Sequence, residues 1–546
     1  MDFQRLLLLL IFSTSVFMLW TQWDHAQHPT VQAAAGAASG VAAVPTAGSA
    51  PVPAGAAKAG NGPAQVPGDT AAGKTGKLIV VTTDVVRAEI NTLGGNLQGL
   101  ELLTQQGVEK GSHFALLERQ RDRVYMAQSG LLGNGLPNHY AAYTSSVDGA
   151  QLAEGKDTVQ VNLETTTADG VKVTKTYTFH RGSYLIDVDY TIDNTTQAPI
   201  SGDAYFRLKR ADFKPEGEAR FLPVYTGPAV YSAEEKLQKV SFSDVEKGKH
   251  DFVQNAKDGW VGILQHYFVA AWVPKAGEER QNFTQALDHK EYSVGVRVHL
   301  PVVEPGKTAT TAMQFYAGPA VTALDKITPG LGLSVDYGLM TPISKPMFWV
   351  MEKLHGWVGN WGLAIILLTL MLKLLLFPVS AAGFRSMAKM RVVAPKLQRI
   401  KEQYADDRER QHKAMMELYK TEKINPVGGC LPLLIQMPLF LSLYDAILAS
   451  VELRHAPFVG WITDLSSPDP WYVLPALMAA TMLLQTRLNP APADPMQAKI
   501  MKTMPIAFGV MFFFFPAGLV LYSVVNSSLS IVQQWVITRS LEKVKA

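Results

Sequence analysis

The chain of 546 residues is poor in the features that usually advertise chemistry. It has one cysteine, Cys430, so no intramolecular disulfide can form, and any exported domain must stand on its core alone. The twelve histidines are scattered, and the close pair His25 and His28 borders a low-complexity stretch, so no metal site is expected. No nucleotide site, and no cofactor of any kind, is expected either. Charge is scarce too. A net charge of +3 argues against general nucleic-acid binding and leaves local charge asymmetry as the informative quantity.

Composition changes sharply along the chain. Residues 6 to 20, LLLLLIFSTSVFMLW, follow Arg5 as in a signal sequence or signal anchor. The segment TQWDHA beyond them places Trp23 three residues before Ala26, a poor cleavage site, so residues 1–27 are read as an uncleaved anchor with its N-terminus inside. Cleavage at the later alanines is the alternative. Residues 28–77 are dominated by Ala, Gly and Pro and cannot bury enough apolar surface to offset their conformational entropy. A disordered linker of roughly 50 residues would span about 40 Å r.m.s..

From Leu78 the pattern becomes short alternating runs, among them LIVVTTD (78 to 84), TVQVNLETT (158 to 166), VKVTKTYTFH (171 to 180) and YLIDVDYTIDN (184 to 194). Period-two alternation at this spacing predicts a large antiparallel β-sandwich over 78–341. Such a sandwich can bind or epimerise sugars, but no acid and base stand at a recognisable spacing. A scaffold or docking domain is therefore expected, and the chain is not expected to be an enzyme.

Residues 342–358 combine Phe348, Trp349, Met351, Leu354 and Trp357 with Lys345, Lys353 and His355, which suits an amphipathic helix in the membrane interface. Apolar stretches come next at about 361–380, 430–450, 471–488, 504–515 and 518–537, five expected spans in a membrane domain over 359–546. The connection 384–429 carries eleven Lys and Arg, whereas 451–470 carries only Arg454. The positive-inside rule then puts the basic loop and both termini in the cytoplasm and the β-domain outside. Apolar or aromatic residues at Met390, Val393, Leu397, Ile400 and Tyr404, then at Met415, Leu418 and Tyr419, predict a helical hairpin within that loop. The hairpin is read as a docking or substrate-receiving element, with a bare topology signal as the alternative.

Lys373 lies inside the second apolar run, where a charge costs about 2.5 to 3.5 kcal/mol and usually faces a polar cavity. Thr369 shares its helix face. Snorkelling is the competing reading, over a distance of roughly 9 Å to the inner end of the span. Asp445 falls near the outer end of the third span, roughly 14 Å from the depth of Lys373, so no salt bridge between them is expected.

The strings VGNWG (358 to 362), SMAKMR (386 to 391), INPVGGCLPLLIQMPLFLSLY (424 to 444), DPMQAKIMKTMP (494 to 505) and FPAGLVLY (515 to 522) closely resemble the YidC membrane-protein insertases of Gram-negative bacteria. The resemblance is strong over the last 200 residues and extends in arrangement to the anchor, linker and β-sandwich. It implies an inner-membrane protein that inserts and helps fold membrane proteins, alone or with the Sec translocon, through a hydrophilic groove open to cytoplasm and lipid. Lys373 matches the groove charge, usually arginine in the family, and Thr369 and Gln436 would line the groove. Met437, Phe440, Phe514 and Tyr522 would border a slide for the incoming segment; the position of Phe514 is often tryptophan. Implied partners are nascent membrane proteins, the Sec translocon, the lipid bilayer, and the ribosome and signal recognition machinery through the hairpin and C-terminal tail, with no specific nucleic acid. A secondary transporter of a small solute is the alternative, against which stand the absence of an inverted repeat and the scarcity of intramembrane carboxylates.

Overall fold

The structure, a computed structural model, describes residues 66–68, 76–107, 111–133, 135–215, 225–405, 407–422, 431–488 and 495–545. The anchor expected at 6 to 20, most of the linker, and Cys430 lie outside the described residues. Contacts divide the chain into two compact units, one ending at Gly318 but including Leu324–Leu331, the other comprising Pro319–Ala323 and Gly332–Ala546.

The first unit is built of two large sheets. In spatial order the ten-stranded sheet runs Asn255–Ala256, Arg280–Leu287, Glu291–His299, Asp203–Ala211, Val124–Leu132, His113–Arg119, Asn96–Gln106, Val86–Asn91, Leu78–Thr82 and Gly149–Gln151. The eight-stranded sheet runs Lys236–Lys239, Gly227–Ser232, Trp260–Gln265, Phe268–Val273, Thr308–Pro319, Leu185–Asp193, Lys172–His180 and Thr158–Thr166. Pairing is antiparallel as expected, except that Leu78–Thr82 and Gly149–Gln151 run parallel. The alternation read from sequence is the alternation of burial. Along Leu185–Asp193, Ile186, Val188, Tyr190 and Ile192 are buried while the residues between them are partly exposed.

The core forms where the sheets face one another. Phe206 of one meets Trp272 of the other at 5.2 Å, and Phe114 stacks on Phe268 at 4.0 Å. Trp260 and Trp272 are fully buried, and burial of side chains this large contributes roughly 2–3 kcal/mol each. Among them sits a buried amine: Lys175 Nζ donates to the Gly95 carbonyl at 2.7 Å and lies 5.2 and 5.3 Å from the ring centres of Tyr177 and Tyr190. Burial pushes its pKa well below the usual lysine range. The turn that supplies this carbonyl needs glycine, because Gly94 has φ +77° and a Cβ there would lie 1.9 Å from the His139 carbonyl.

The sandwich also carries one short helix, α1 (Phe242–Glu246), and the longer helices α2 to α9 make up the second unit. Helix α2 (Thr341–Val358) starts with Pro342 in its first turn and ends where Gly359 turns left-handed at φ +66°. It buries Met347, Phe348 and Met351 and leaves Trp349 and Trp357 outward, the latter 83% exposed. Helix α3 (Trp361–Leu375) is capped by Asn360, whose side chain accepts from Leu363 N at 3.0 Å. The span expected as 361–380 is not one straight helix. It bends by 67° between α3 and α4 (Phe377–Gln403). Pro378 explains the bend, since it has no N–H to donate and its ring would strike the carbonyl four residues earlier.

Helices α4 and α5 (Arg408–Thr421) form the expected hairpin, with Val393 and Leu397 buried against Met390, Met415, Leu418 and Tyr419. Lys396 closes it on Glu422 at 2.6 Å. Next come α6 (Leu431–Ala449), α7 (Val473–Leu488), α8 (Pro495–Met511) and α9 (Ala517–Lys545). Among the described residues one helix, Ala517–Ser540, is long and apolar enough to cross a bilayer, and the bent pair α3–α4 makes a second. The apolar helices Leu434–Ala449, Val473–Leu488 and Thr503–Phe514 are shorter. The stretch expected over 504–515 is the end of a longer helix, because α8 begins at Pro495 in polar sequence.

Candidate functional site

The candidate site lies along α9, which packs against both α3 and α6, and Lys373 of α3 is its charged member. Near the end of α3 the side chain is half-buried, and Nζ donates to Ser530 Oγ on α9 at 2.7 Å. Ser530 Oγ in turn donates to the Asn526 carbonyl at 2.7 Å. The hydroxyl therefore presents a lone pair to the ammonium, the polarity a cation needs in apolar surroundings. One turn earlier Thr369 is fully buried and its hydroxyl donates to the Ile365 carbonyl at 2.7 Å, leaving acceptor capacity on the same face.

Gln436 on α6 donates through Nε2 to the Tyr522 hydroxyl of α9. Tyr522 is 2% exposed and stands inside the bundle beside Gln436. Of the other slide residues, Met437 and Phe514 are half or more exposed, and Phe440 meets Phe512 edge-on at 6.4 Å. No hydrogen bond among the described residues joins the Lys373–Ser530 pair to the Gln436–Tyr522 pair.

Sequence reasoning missed the polar face of α9. Ser523, Ser527, Ser530 and Gln534 are all buried, at intervals of four, three and four residues, which places them on one helix face. Ser523 and Ser530 bond carbonyls of their own helix, and Gln534 Nε2 reaches the Leu488 carbonyl of α7 at 3.3 Å. A search for period-3.6 polar residues within apolar runs would have found them. Ser442 on α6 is also fully buried, and its hydroxyl has no hydrogen-bond partner among the described residues.

One end of this bundle is tied shut by the segment 451–470. Asn360 Nδ2 donates to the Phe458 carbonyl at 3.1 Å, and Phe458 packs so closely on Gly362 that a Cβ there would come within 2.0 Å of its ring. Asp469, 1% exposed, receives Trp461 Nε1 at 2.9 Å and the backbone N–H of Leu474 at 2.8 Å. The segment's far end binds the start of α9 through Ala517 N to Ser467 O (2.8 Å) and Gly518 N to Leu465 O (2.9 Å). Within it Glu452 is pushed up to about 7, first by burial and then by the neighbouring charge of Glu352.

Among the described residues no cluster of His, Cys, Asp and Glu could hold a metal ion. The string GDTAAGKT at 68 to 75 carries the residue spacing of a phosphate-binding loop. Such a loop needs a strand before it and a helix after it, whereas the string leads into the strand Leu78–Thr82.

Comparison with known proteins bears on the same two regions. The family model described as the YidC periplasmic domain matches residues 78–350, and that described as the 60Kd inner membrane protein matches residues 353–544. A membrane protein insertase YidC of Nitrosospira multiformis is 50% identical over 99% of this chain and 98% of its own length. That of Cupriavidus necator is 48% identical over 100% of this chain and 99% of its own. Among solved structures, a YidC insertase with its first transmembrane domain resolved aligns with a TM-score of 0.39 at 18% identity, covering 84% of this chain and 94% of that one. At half identity over essentially the whole length, and with the two family models together matching nearly all of 78–544, the chain belongs to the YidC family of membrane protein insertases.

Proposed function

We propose that this insertase works through a polar groove among α3, α6 and α9, with Lys373, Thr369 and Gln436 lining it. The half-buried Lys373 held by Ser530 beside the buried hydroxyls of α9 is the observation that carries the reading. No covalent step is needed. The basic α4–α5 hairpin receives a nascent apolar segment, the groove hydrates the polar tail that must cross, and Lys373 attracts acidic residues of that tail. The apolar segment then moves along Met437, Phe440 and Phe514 into lipid, driven by removal of its surface from water.

In this reading the five apolar helical segments make the membrane bundle, with α2 in the interface. The bent and short members are accommodated by local bilayer thinning, which lowers the cost of moving a polar tail across. The basic loop and both termini face the cytoplasm and the sandwich the periplasm, as the lysine and arginine distribution requires. The Sec translocon and the ribosome are the partners this arrangement would serve.

The test is photocrosslinking from Gln436, Phe440 and Phe514 to a stalled nascent chain with one apolar segment. Adducts are expected from all three positions. Silence at all three would sink the slide, and solute uptake by the purified protein without insertion would favour a transporter.

A further inference from the structure

A short piece of the linker is not free. Val66 is 7% exposed and packs against Leu132 and Tyr205, with Phe283 alongside. The Pro67 carbonyl accepts from Arg207 Nη1 at 3.1 Å, and the Gly68 carbonyl accepts from the Tyr140 hydroxyl at 2.7 Å. The receiving surface belongs to the ten-stranded sheet. Tyr205 and Arg207 alternate with Phe206, which points to Trp272 of the other sheet, so they point away from the sandwich core.

This outward face is organised in advance. Arg207 is fully buried, with Nε donating to Gln128 Oε1 at 2.9 Å and Nη2 to His139 Nε2 at 3.0 Å. Arginine can only donate, so His139 Nε2 is the acceptor, and the ring is neutral with its Nδ1 proton directed to the Tyr205 hydroxyl. Two of the guanidinium's edges are thus fixed by side chains, and Nη1 is aimed at a carbonyl. The segment is suited to the role. Pro67 brings no N–H to be stranded on burial and is already restricted in φ, which lowers the entropy lost on ordering.

We propose that this face is a binding site for an extended peptide of aliphatic-Pro-Gly type, and that its resident occupant is residues 66–68 of the chain's own linker. Recognition is by one aliphatic side chain and two successive carbonyls, taken by Leu132 and Tyr205, Arg207, and Tyr140. The linker is thereby clipped to the sandwich at a second point, ahead of the strand Leu78–Thr82.

The test uses the full chain with Cys430→Ser, reconstituted at one copy per nanodisc so that the occupant is intramolecular. Gln65→Cys, next to the seated Val66, is compared with Ala56→Cys, a control in the same linker, for the rate of labelling by a bulky maleimide. Labelling at position 65 is expected to be about tenfold slower, which corresponds to a docked state favoured by roughly 1.4 kcal/mol. Adding Val66→Ser, which removes the aliphatic side chain, or Tyr140→Phe, which keeps the ring and removes the hydrogen bond to Gly68, should each recover several-fold of the lost rate. Equal rates at 65 and 56 would overturn the proposal, and protection unchanged by Tyr140→Phe would overturn recognition through the carbonyls.

Discussion

A lysine in an apolar helix has to find a lone pair, and Lys373 finds that of Ser530. Lys373→Arg is expected to keep insertion of a client with an acidic tail, because the guanidinium carries the same charge. Lys373→Glu should reduce it severalfold in a protease-protection assay. Ser530→Ala removes one hydrogen bond to a charge, a loss of about 1.5–3 kcal/mol to the lysine's position, so it should lower insertion less than the reversal does. If Lys373→Glu leaves insertion unchanged, the groove charge has no role. Glu452 makes a separate residue-scale prediction. Its carboxyl holds a proton in the folded chain that the unfolded chain has already lost between about 4.5 and 7, so stability falls as pH rises through that window. Glu452→Gln is expected to raise the melting temperature at about pH 8 and to match the parent near pH 4. Equal melting temperatures at both would show that the site is solvated. At this scale the sequence was informative about Lys373, whose charge breaks an apolar run. Ser530 was marked only by its place in the row Ser523, Ser527, Ser530 and Gln534, and nothing in the sequence singles it out from that row until its partner is known.

Helix boundaries were legible where the chain carries its own punctuation. Pro342 and Gly359 frame α2, and alternation frames strands such as Thr158–Thr166, read from the sequence at the same limits. The bend after α3 was not anticipated, although Pro378 carries the signal, because hydropathy averages over a window and passes smoothly across the break. Likewise α8 starts well before its apolar part, which hydropathy alone cannot detect. The hairpin is the element most open to test. Leu397 is 6% exposed between α4 and α5, and Leu397→Asp would bury an unpaired carboxylate at a cost of about 3 kcal/mol. Faster proteolysis within 377–421 and reduced insertion are expected together. Loss of the hairpin with normal insertion would remove it from the receiving step.

For the molecule as a whole, the division into a β unit and a helical unit predicts separable roles. Deleting residues 78–320 is expected to leave most insertion intact in a complementation assay, and abolition would instead assign the essential step to the sandwich. The linker shows what composition cannot reveal: its Ala, Gly and Pro content argues for disorder, yet Val66 alone has enough apolar surface to seat against Leu132 and Tyr205. The tied segment 451–470 has an energetic consequence for the membrane. In the proposed groove, closed at that end and wetted from the opposite side, the transmembrane potential would fall across a shorter stretch than the full bilayer. A client's charge then feels its whole work, about 2.3 kcal/mol per 100 mV, over the last few ångströms of its path. Acidic tails of clients added outside should therefore cross faster into proteoliposomes given a lumen-positive potassium diffusion potential, and basic tails slower, without measurable ion leak through the protein itself.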